Sequence, residues 1–275
     1  MRAACSLLIA LAACDRPAAL VICHNANCAE PADPAGDDTL PALRESLALE
    51  LDGRPVIDGI ELDTFWRGAD DVCLYAHDLD GTNEPAAIDP AVELAAHFAR
   101  PGPITWGAAP FRVLLELKSH VSASTTDRHS PAQRDLHARC AWDLYTIVSD
   151  AAVANARDVE IVFSAFAPEL LRAVIANTPA ATPTPYRFGA IQGIPAPLDD
   201  QTRPLDDYDG LPIDIIEFHD QWFNDAQYEA ITSLGVELAF FMFSATVETF
   251  AVIEQYEPAS LVTSEARLVR RWLER

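Results

Sequence analysis

The chain has 275 residues, 50% of them apolar, which is enough for one large globular core. Its 42 acidic side chains against 19 basic ones give a formal net charge of −23 at pH 7. Because such a field repels polyanions, the composition argues against nucleic acid or an anionic lipid surface as a partner.

The N-terminal stretch MRAACSLLIALAACDRP is typical of a bacterial export signal. Arg2 precedes an apolar segment from Leu7 to Ala13, and LAAC is similar to a lipobox, in which the cysteine is lipidated after cleavage. We predict a signal peptide over residues 1–13, a lipidated Cys14 as the sole membrane attachment, and export to the periplasm or cell envelope. An ordinary signal or a misplaced start codon is the alternative.

From residue 18 onward, short apolar runs alternate with amphipathic helical stretches, which is typical of repeated strand–helix units. The predicted strands are ALVICH (19–24), DGIELD (58–63), FRVLLEL (111–117), VEIVFSA (159–165), YRFGAIQ (186–192), IDIIEF (213–218), ELAFFMF (237–243) and ASLVTS (259–264). The predicted helices are TLPALRESLALEL, DPAVELAAHFA, PAQRDLHARCAWDLYTIVSDAAVANA, PELLRAVIAN, NDAQYEAITSLG, VETFAVIEQYE and EARLVRRWLER. Only the fifth strand lacks a clear helix after it.

This order predicts an α/β fold, a single (β/α)₈ TIM barrel over residues 18–275. The segment DVCLYAHD forms a small insertion after the second strand and is itself predicted to be extended. A doubly wound open sheet is the alternative, but no glycine-rich phosphate loop follows the first strand.

Polar residues close several of the apolar runs, at the strand ends where a barrel places its site. They are His24, Glu61, Asp63, His77, Glu116, Lys118, Glu217 and His219. Three of the carboxylates, Glu61, Asp63 and Glu116, are costly to bury unpaired, and a divalent cation with oxygen ligands is the simplest partner. Rim carboxylates paired with Arg or Lys are the alternative.

The histidines His24 and His77 fit the same site. Cleavage of a phosphodiester with an alkoxide leaving group needs a base, an acid and a cation, and these two residues would supply the first two. His219 is a candidate substrate-binding residue. A structural role is assigned to the remaining histidines, which are His97, His120, His129 and His137.

Four cysteines remain after export, in an oxidising compartment. Cys23 and Cys28 flank His24 and could close a small loop across it; the others are Cys73 and Cys140. The spacing does not suit zinc. Four buried free thiols are the alternative to disulfides.

The order of the motifs resembles the glycerophosphodiester phosphodiesterases, which belong to the phosphatidylinositol-phospholipase-C-like barrel superfamily. The matching pieces are the first-strand histidine, IELD, AHD, LLELK, VFSAFAPELLRAV and LVTSEARLVRRWL, and they extend from about Leu20 to the C-terminus. The resemblance implies a small phosphodiester substrate, Mg²⁺ or Ca²⁺ held by the three carboxylates, and His24 and His77 as the acid–base pair. It also implies that Lys118 lies near a phosphate oxygen.

The chain departs from the family pattern at several positions. HNAN stands where the family has His-Arg-Gly, so Asn25 replaces an arginine expected to pair with phosphate and is a candidate substrate-binding residue. A His-Asn pair here is more similar to phosphoinositide-specific phospholipases C. DDT at Asp37 to Thr39 replaces Glu-Asn-Thr, and Ser264 replaces a late aspartate.

Three hypotheses follow from the resemblance. The first is a metal-dependent hydrolase of glycerophosphodiesters that releases an alcohol and glycerol 3-phosphate. The second is a phospholipase C- or D-like lipid phosphodiesterase, which an apolar rim of Phe65, Trp66, Trp222 and Phe223 would favour; packing between loops is the alternative role for these aromatics. The third is a barrel that binds without catalysis.

Overall fold

The computed structural model describes residues 19–28, 36–67, 72–76, 86–119, 127–192, 206–242 and 244–275. The predicted signal peptide, Cys14, His77 and His120 lie outside these residues.

All eight predicted barrel strands are present. The strands are β1 (Leu20–Cys23), β2 (Glu50–Leu51), β3 (Arg54–Pro55), β4 (Gly59–Arg67), β5 (Val72–Tyr75), β6 (Phe111–Leu117), β7 (Val159–Ala165), β8 (Tyr186–Gln192), β9 (Ile215–His219), β10 (Glu237–Met242) and β11 (Ser260–Thr263). The barrel contains β1, β4 and β6 to β11, all parallel, and it closes because β1 pairs with both β4 and β11. The predicted TIM barrel is confirmed.

Helices follow most barrel strands, as predicted. They are α1 (Leu40–Ser46), α2 (Ile88–Phe98), α3 (Pro131–Ala154), α4 (Pro168–Ala176), α5 (Asp225–Leu234), α6 (Val247–Tyr256) and α7 (Ala266–Leu273). Polar residues cap the N-termini of several helices; Ser130 and Asn224 form capping boxes at the starts of α3 and α5. Among the described helices, none combines the length and apolar character that a membrane crossing requires.

Two local differences from the predicted elements have clear causes. The first helix ends at Ser46, and β2 and β3 follow as a hairpin, because Asp52 and Gly53 both adopt positive φ and make a tight turn. Strand β4 continues to Arg67, beyond the predicted end, because its last residues pair antiparallel with β5. The insertion after the second barrel strand is thus confirmed as an additional strand.

The barrel interior is layered along the strands. At the amino-terminal end, Arg112 hydrogen-bonds Glu160 (2.7 Å) and Glu237 (2.5 Å), and Arg187 also reaches Glu237 (2.5 Å). An apolar layer lies above this network, formed by Ile22, Leu114, Val162, Ile215, Ala239 and Val262. Since side chains on one face of a strand recur every second residue, the next interior layer contains the polar residues at the carboxyl ends.

Two disulfides lie within the described residues. Cys23–Cys28 closes the turn after β1, and Cys73–Cys140 connects β5 to α3. The four cysteines that the sequence left undecided are therefore paired.

Candidate active site

Three carboxylates meet at the carboxyl end of the barrel. Glu61 and Asp63 come from β4 and Glu116 from β6, where Asp63 and Glu116 are register partners. One oxygen from each of the three lies within 4.8 Å of the others, and all three side chains are buried. This trio is called the acidic cluster below.

Lys118 is the only lysine in the sequence, and it is buried in the acidic cluster. Its Nζ lies 3.0 Å from Oδ2 of Asp63 and 2.7 Å from Oε1 of Glu116. Burial alone would lower the pKa of Lys118, but the surrounding carboxylates hold it above its ordinary value. The lysine is therefore charged and serves as a counterion. The sequence contains no other lysine, and this composition was an additional signal for Lys118 that the motif comparison did not use.

Negative charge still exceeds positive charge in this cluster. Burial, and then Glu116, raise the pKa of Glu61 to about 8, although Lys118 and an N–H donor oppose the shift. Asp38 is buried beside the cluster, where its Oδ1 accepts from the N–H of Asp63 (3.3 Å), and burial followed by Asp63 raises its pKa. Sequence reasoning did not select Asp38, although it lies in the DDT motif.

A hard divalent cation fits this donor set. The three carboxylates offer only oxygen, are shielded from water, and carry the electrostatic cost of mutual proximity, which a cation would relieve. The structure thus brings together the three residues predicted as cation ligands.

The turn after β1 places His24 against the cluster. Nε2 of His24 lies 3.7 Å from Oε2 of Glu61, and its Nδ1 lies 3.4 Å from the Ser264 hydroxyl. The side chain is 21% exposed, so it remains accessible from the barrel mouth. His77, the other predicted catalytic histidine, follows Ala76 just past β5 and lies outside the described residues.

Asn25 contacts the cluster through its backbone. It adopts a left-handed conformation (φ 48°), in which its N–H donates to Oε2 of Glu61 (3.1 Å). Its side-chain amide donates to Asp37 (3.2 Å). The strained turn is held between Cys23 and Cys28, so the disulfide and the amide together orient Glu61.

At the end of β9, Glu217 and His219 point into the barrel. Burial, and then the charges of Glu61 and Glu116, raise the pKa of Glu217. His219 is fully buried; its Nδ1 accepts from the N–H of Gln221 (3.1 Å) and lies 3.2 Å from Oδ1 of Asp220. Its ring stacks on Trp222, with centroids 4.3 Å apart.

The aromatic rim is smaller than the sequence suggested. Trp222 is 36% exposed, whereas Phe65, Trp66 and Phe223 are buried. Among the other described histidines, His137 contacts the Thr64 hydroxyl (3.1 Å), His129 contacts the Trp66 carbonyl oxygen (3.1 Å), and His97 packs against Phe98 and Phe111.

The sequence matches no protein-family model. It also matches no curated protein. Solved structures do resemble this one. A phosphodiesterase from Oleispira antarctica, in complex with the product sn-glycerol-3-phosphate, has a TM-score of 0.59 at 13% identity, over 93% of this chain and 97% of that one. A glycerophosphodiester phosphodiesterase from Parabacteroides distasonis has a TM-score of 0.60 at 12% identity, over 94% and 98%.

A calcium-dependent phosphoinositol-specific phospholipase C from a Pseudomonas species is also similar, with a TM-score of 0.50 at 12% identity, over 91% of this chain and 90% of that one. At these identities the likeness establishes the fold. The predicted resemblance to the glycerophosphodiester phosphodiesterase barrels is confirmed at that level.

Proposed function

We propose that this protein is a metal-dependent phosphodiester hydrolase that cleaves glycerophosphodiesters to an alcohol and glycerol 3-phosphate. One observation carries the proposal: a buried trio of carboxylates shares a barrel mouth with a charged lysine and an accessible histidine. Cation ligands, a second positive charge and a proton-transfer group are the components that phosphodiester cleavage requires. The shared fold of a glycerophosphodiester phosphodiesterase and of a phosphodiesterase whose product is sn-glycerol-3-phosphate supports the same reaction class.

In this proposal Glu61, Asp63 and Glu116 hold Mg²⁺ or Ca²⁺. The bound cation would supply positive charge where negative charge develops on the phosphoryl oxygens. Lys118 adds charge at the same place, so the mouth becomes locally attractive to phosphate in a chain whose net charge is −23. Asn25 and His219 complete the proposed substrate-binding residues.

His24 and His77 transfer the protons. An attacking water molecule forms a bond to phosphorus and loses a proton to Nε2 of His24, whose Nδ1 lies 3.4 Å from the Ser264 hydroxyl. The bond between phosphorus and the leaving oxygen breaks, and that alkoxide takes a proton from His77. The assignment of His77 rests on the sequence resemblance alone.

A phospholipase-like activity is the second candidate. Trp222, partly exposed and stacked on His219 at the mouth, is the observation that favours a substrate with an apolar part. Export is proposed as well, because disulfides persist in oxidising compartments; lipidation of Cys14 stays a prediction from the sequence.

Hydrolysis assays with the purified chain test the proposal. Glycerophosphocholine, phosphatidylinositol and sphingomyelin are each incubated with EDTA and with added Mg²⁺ or Ca²⁺. We expect cation-dependent release of glycerol 3-phosphate, which Glu116→Gln abolishes. Glu229→Gln, on the exposed face of α5, is the matched control and leaves activity unchanged. Activity on intact lipid alone supports the second candidate, and inactivity on every substrate contradicts both.

A further inference from the structure

A second polar group lies inside the barrel mouth, on the wall formed by β7, β8 and β9. Ser164 and Glu217 face the interior, since each lies two residues beyond a member of the apolar layer, Val162 and Ile215. Gly189 lies between them on β8. We call these three residues the Ser164–Glu217 recess.

Gly189 creates the space in this recess. A Cβ at position 189 would lie 3.1 Å from Cβ of Ser164 and 3.4 Å from Oε1 of Glu217. The Glu217 carboxyl group and the Ser164 side chain therefore both border the space above Gly189. A larger residue at this position would fill the gap between the two polar groups.

Both polar groups in the recess are unsatisfied. Within the part of the chain that the structure describes, Oγ of Ser164 and Oε1 of Glu217 are buried and have no hydrogen-bond partner. Ser164 is 0% exposed and Glu217 is 1% exposed. Leaving such groups unpaired is costly, so each one in a native structure calls for an explanation, and a ligand that hydrogen-bonds them would provide it.

The recess is adjacent to the acidic cluster without belonging to it. Ser164 is the register partner of Glu116, one strand away. After burial, the nearby charges of Glu61 and Glu116 are the next causes of the raised pKa of Glu217, which shows that the carboxyl groups are close. Glu217 is absent from the carboxylates that lie within 4.8 Å of one another. A ligand whose phosphate meets the cluster would therefore extend its remaining atoms toward the recess.

The chemistry of the recess selects the ligand group. A serine hydroxyl donates and accepts, and a carboxyl oxygen accepts, which matches the hydroxyls of a polyol. A phosphate is better placed at the acidic cluster, where Lys118 and the proposed cation supply positive charge. We infer that the Ser164–Glu217 recess binds hydroxyl groups of the glycerol moiety and sets the preference for glycerol-containing phosphodiesters. This inference rests on the proposed function.

Binding measurements test it without turnover. Calorimetric titrations with sn-glycerol 3-phosphate and with inorganic phosphate, at saturating Mg²⁺ or Ca²⁺, compare the wild type with Glu217→Gln, Ser164→Ala and Gly189→Ala. We expect the wild type to prefer glycerol 3-phosphate, and each variant to lose about tenfold of that preference, since unpaired polar groups discriminate strongly. Phosphate affinity should change less than about threefold, as for the control Glu229→Gln.

Gly189→Ala keeps both polar groups and narrows the gap, so it tests the recess even if Glu217→Gln fails to fold. If Glu217→Gln weakened the binding of glycerol 3-phosphate and of inorganic phosphate equally, Glu217 would belong to the cation site, and the inference would be overturned. An unchanged preference, or a wild type that binds both ligands equally, would overturn it too.

Kinetics separate this inference from the proposed function. For Glu217→Gln, kcat/KM on glycerophosphocholine should fall about tenfold or more, mainly through KM, while bis(p-nitrophenyl) phosphate, which has no hydroxyl, changes less than about threefold. A wild type that cleaves neither diester contradicts the proposed function, and the titrations still decide whether the recess recognises glycerol.

Discussion

At the scale of single residues, Lys118 explains how three buried carboxylates are tolerated so close together. Its ammonium group contacts Asp63 and Glu116 while Glu61 shifts toward the protonated form. A buried charge that loses its partner typically costs about 3–5 kcal/mol.

We therefore expect Lys118→Met to lower the free energy of unfolding by about 3–5 kcal/mol in EDTA, because the carboxylates lose their counterion. Urea denaturation measures this change. Added Mg²⁺ or Ca²⁺ should recover more stability in the variant than in the wild type, since the cation replaces the missing charge. Equal stability of the two proteins in EDTA would contradict this role.

The buried imidazole of His97 should make the free energy of unfolding depend on pH. Burial lowers its pKa from 6.5 to about 4, so the folded protein holds the neutral ring. Its contribution is fully present above about pH 6.5 and is lost as the pH falls toward 4, because the unfolded chain binds the proton first. His97→Leu should reduce the loss of unfolding free energy between pH 8 and pH 5 by about 2 kcal/mol.

Urea denaturation of both proteins at the two pH values checks the His97 prediction. Each protein is compared with itself at pH 8, so a packing change caused by the substitution, which is the same at both pH values, cancels. If the variant and the wild type lose the same unfolding free energy between pH 8 and pH 5, a group other than His97 causes the loss.

At the scale of elements, the two disulfides have different tasks. Cys73–Cys140 joins β5 to α3 across 67 residues, whereas Cys23–Cys28 spans only 5 residues around the His24 turn. Loop-closure entropy grows with the length of the closed loop, so the longer bridge contributes more to stability. The shorter bridge holds the backbone that contacts Glu61.

Replacing Cys73 and Cys140 with serine should lower the free energy of unfolding by about 4 kcal/mol, and replacing Cys23 and Cys28 by about 2 kcal/mol. The order should reverse for activity: the Cys23/Cys28 variant loses more of kcat, because His24 and Glu61 lose their fixed geometry. Chemical denaturation and steady-state rates, at a temperature where both variants are folded, measure the two effects. A larger kcat loss in the Cys73/Cys140 variant would refute this division.

At the scale of the whole molecule, the charge of −23 opposes an anionic substrate. The Debye length falls from about 30 Å at 0.01 M salt to about 8 Å at 0.15 M, so salt screens that repulsion. We expect kcat/KM for glycerophosphoglycerol to rise over this range. Glycerophosphocholine has no net charge and is the control, with a weaker response. A fall for the anionic substrate would indicate local attraction by the mouth that outweighs the global field.

Much of the architecture could be predicted from the sequence. Apolar runs separated by helical stretches located every barrel strand, and the period of two on DGIELD placed Glu61 and Asp63 on one face. Helix and strand ends were less predictable, because the β2–β3 hairpin and the extension of β4 depend on a tight turn and on pairing with β5.

The sequence alone determined the strand order, the barrel and the acidic residues that end its strands, because these follow from local periodicity and from the rule that parallel strands end together. Only the tertiary structure decided which cysteines pair, that Lys118 lies among the carboxylates as their counterion, and that Ser164 and Glu217 both border Gly189. The physical reason is that such contacts depend on the stagger between neighbouring strands and on the free space that a missing side chain leaves, and neither is encoded in any single segment.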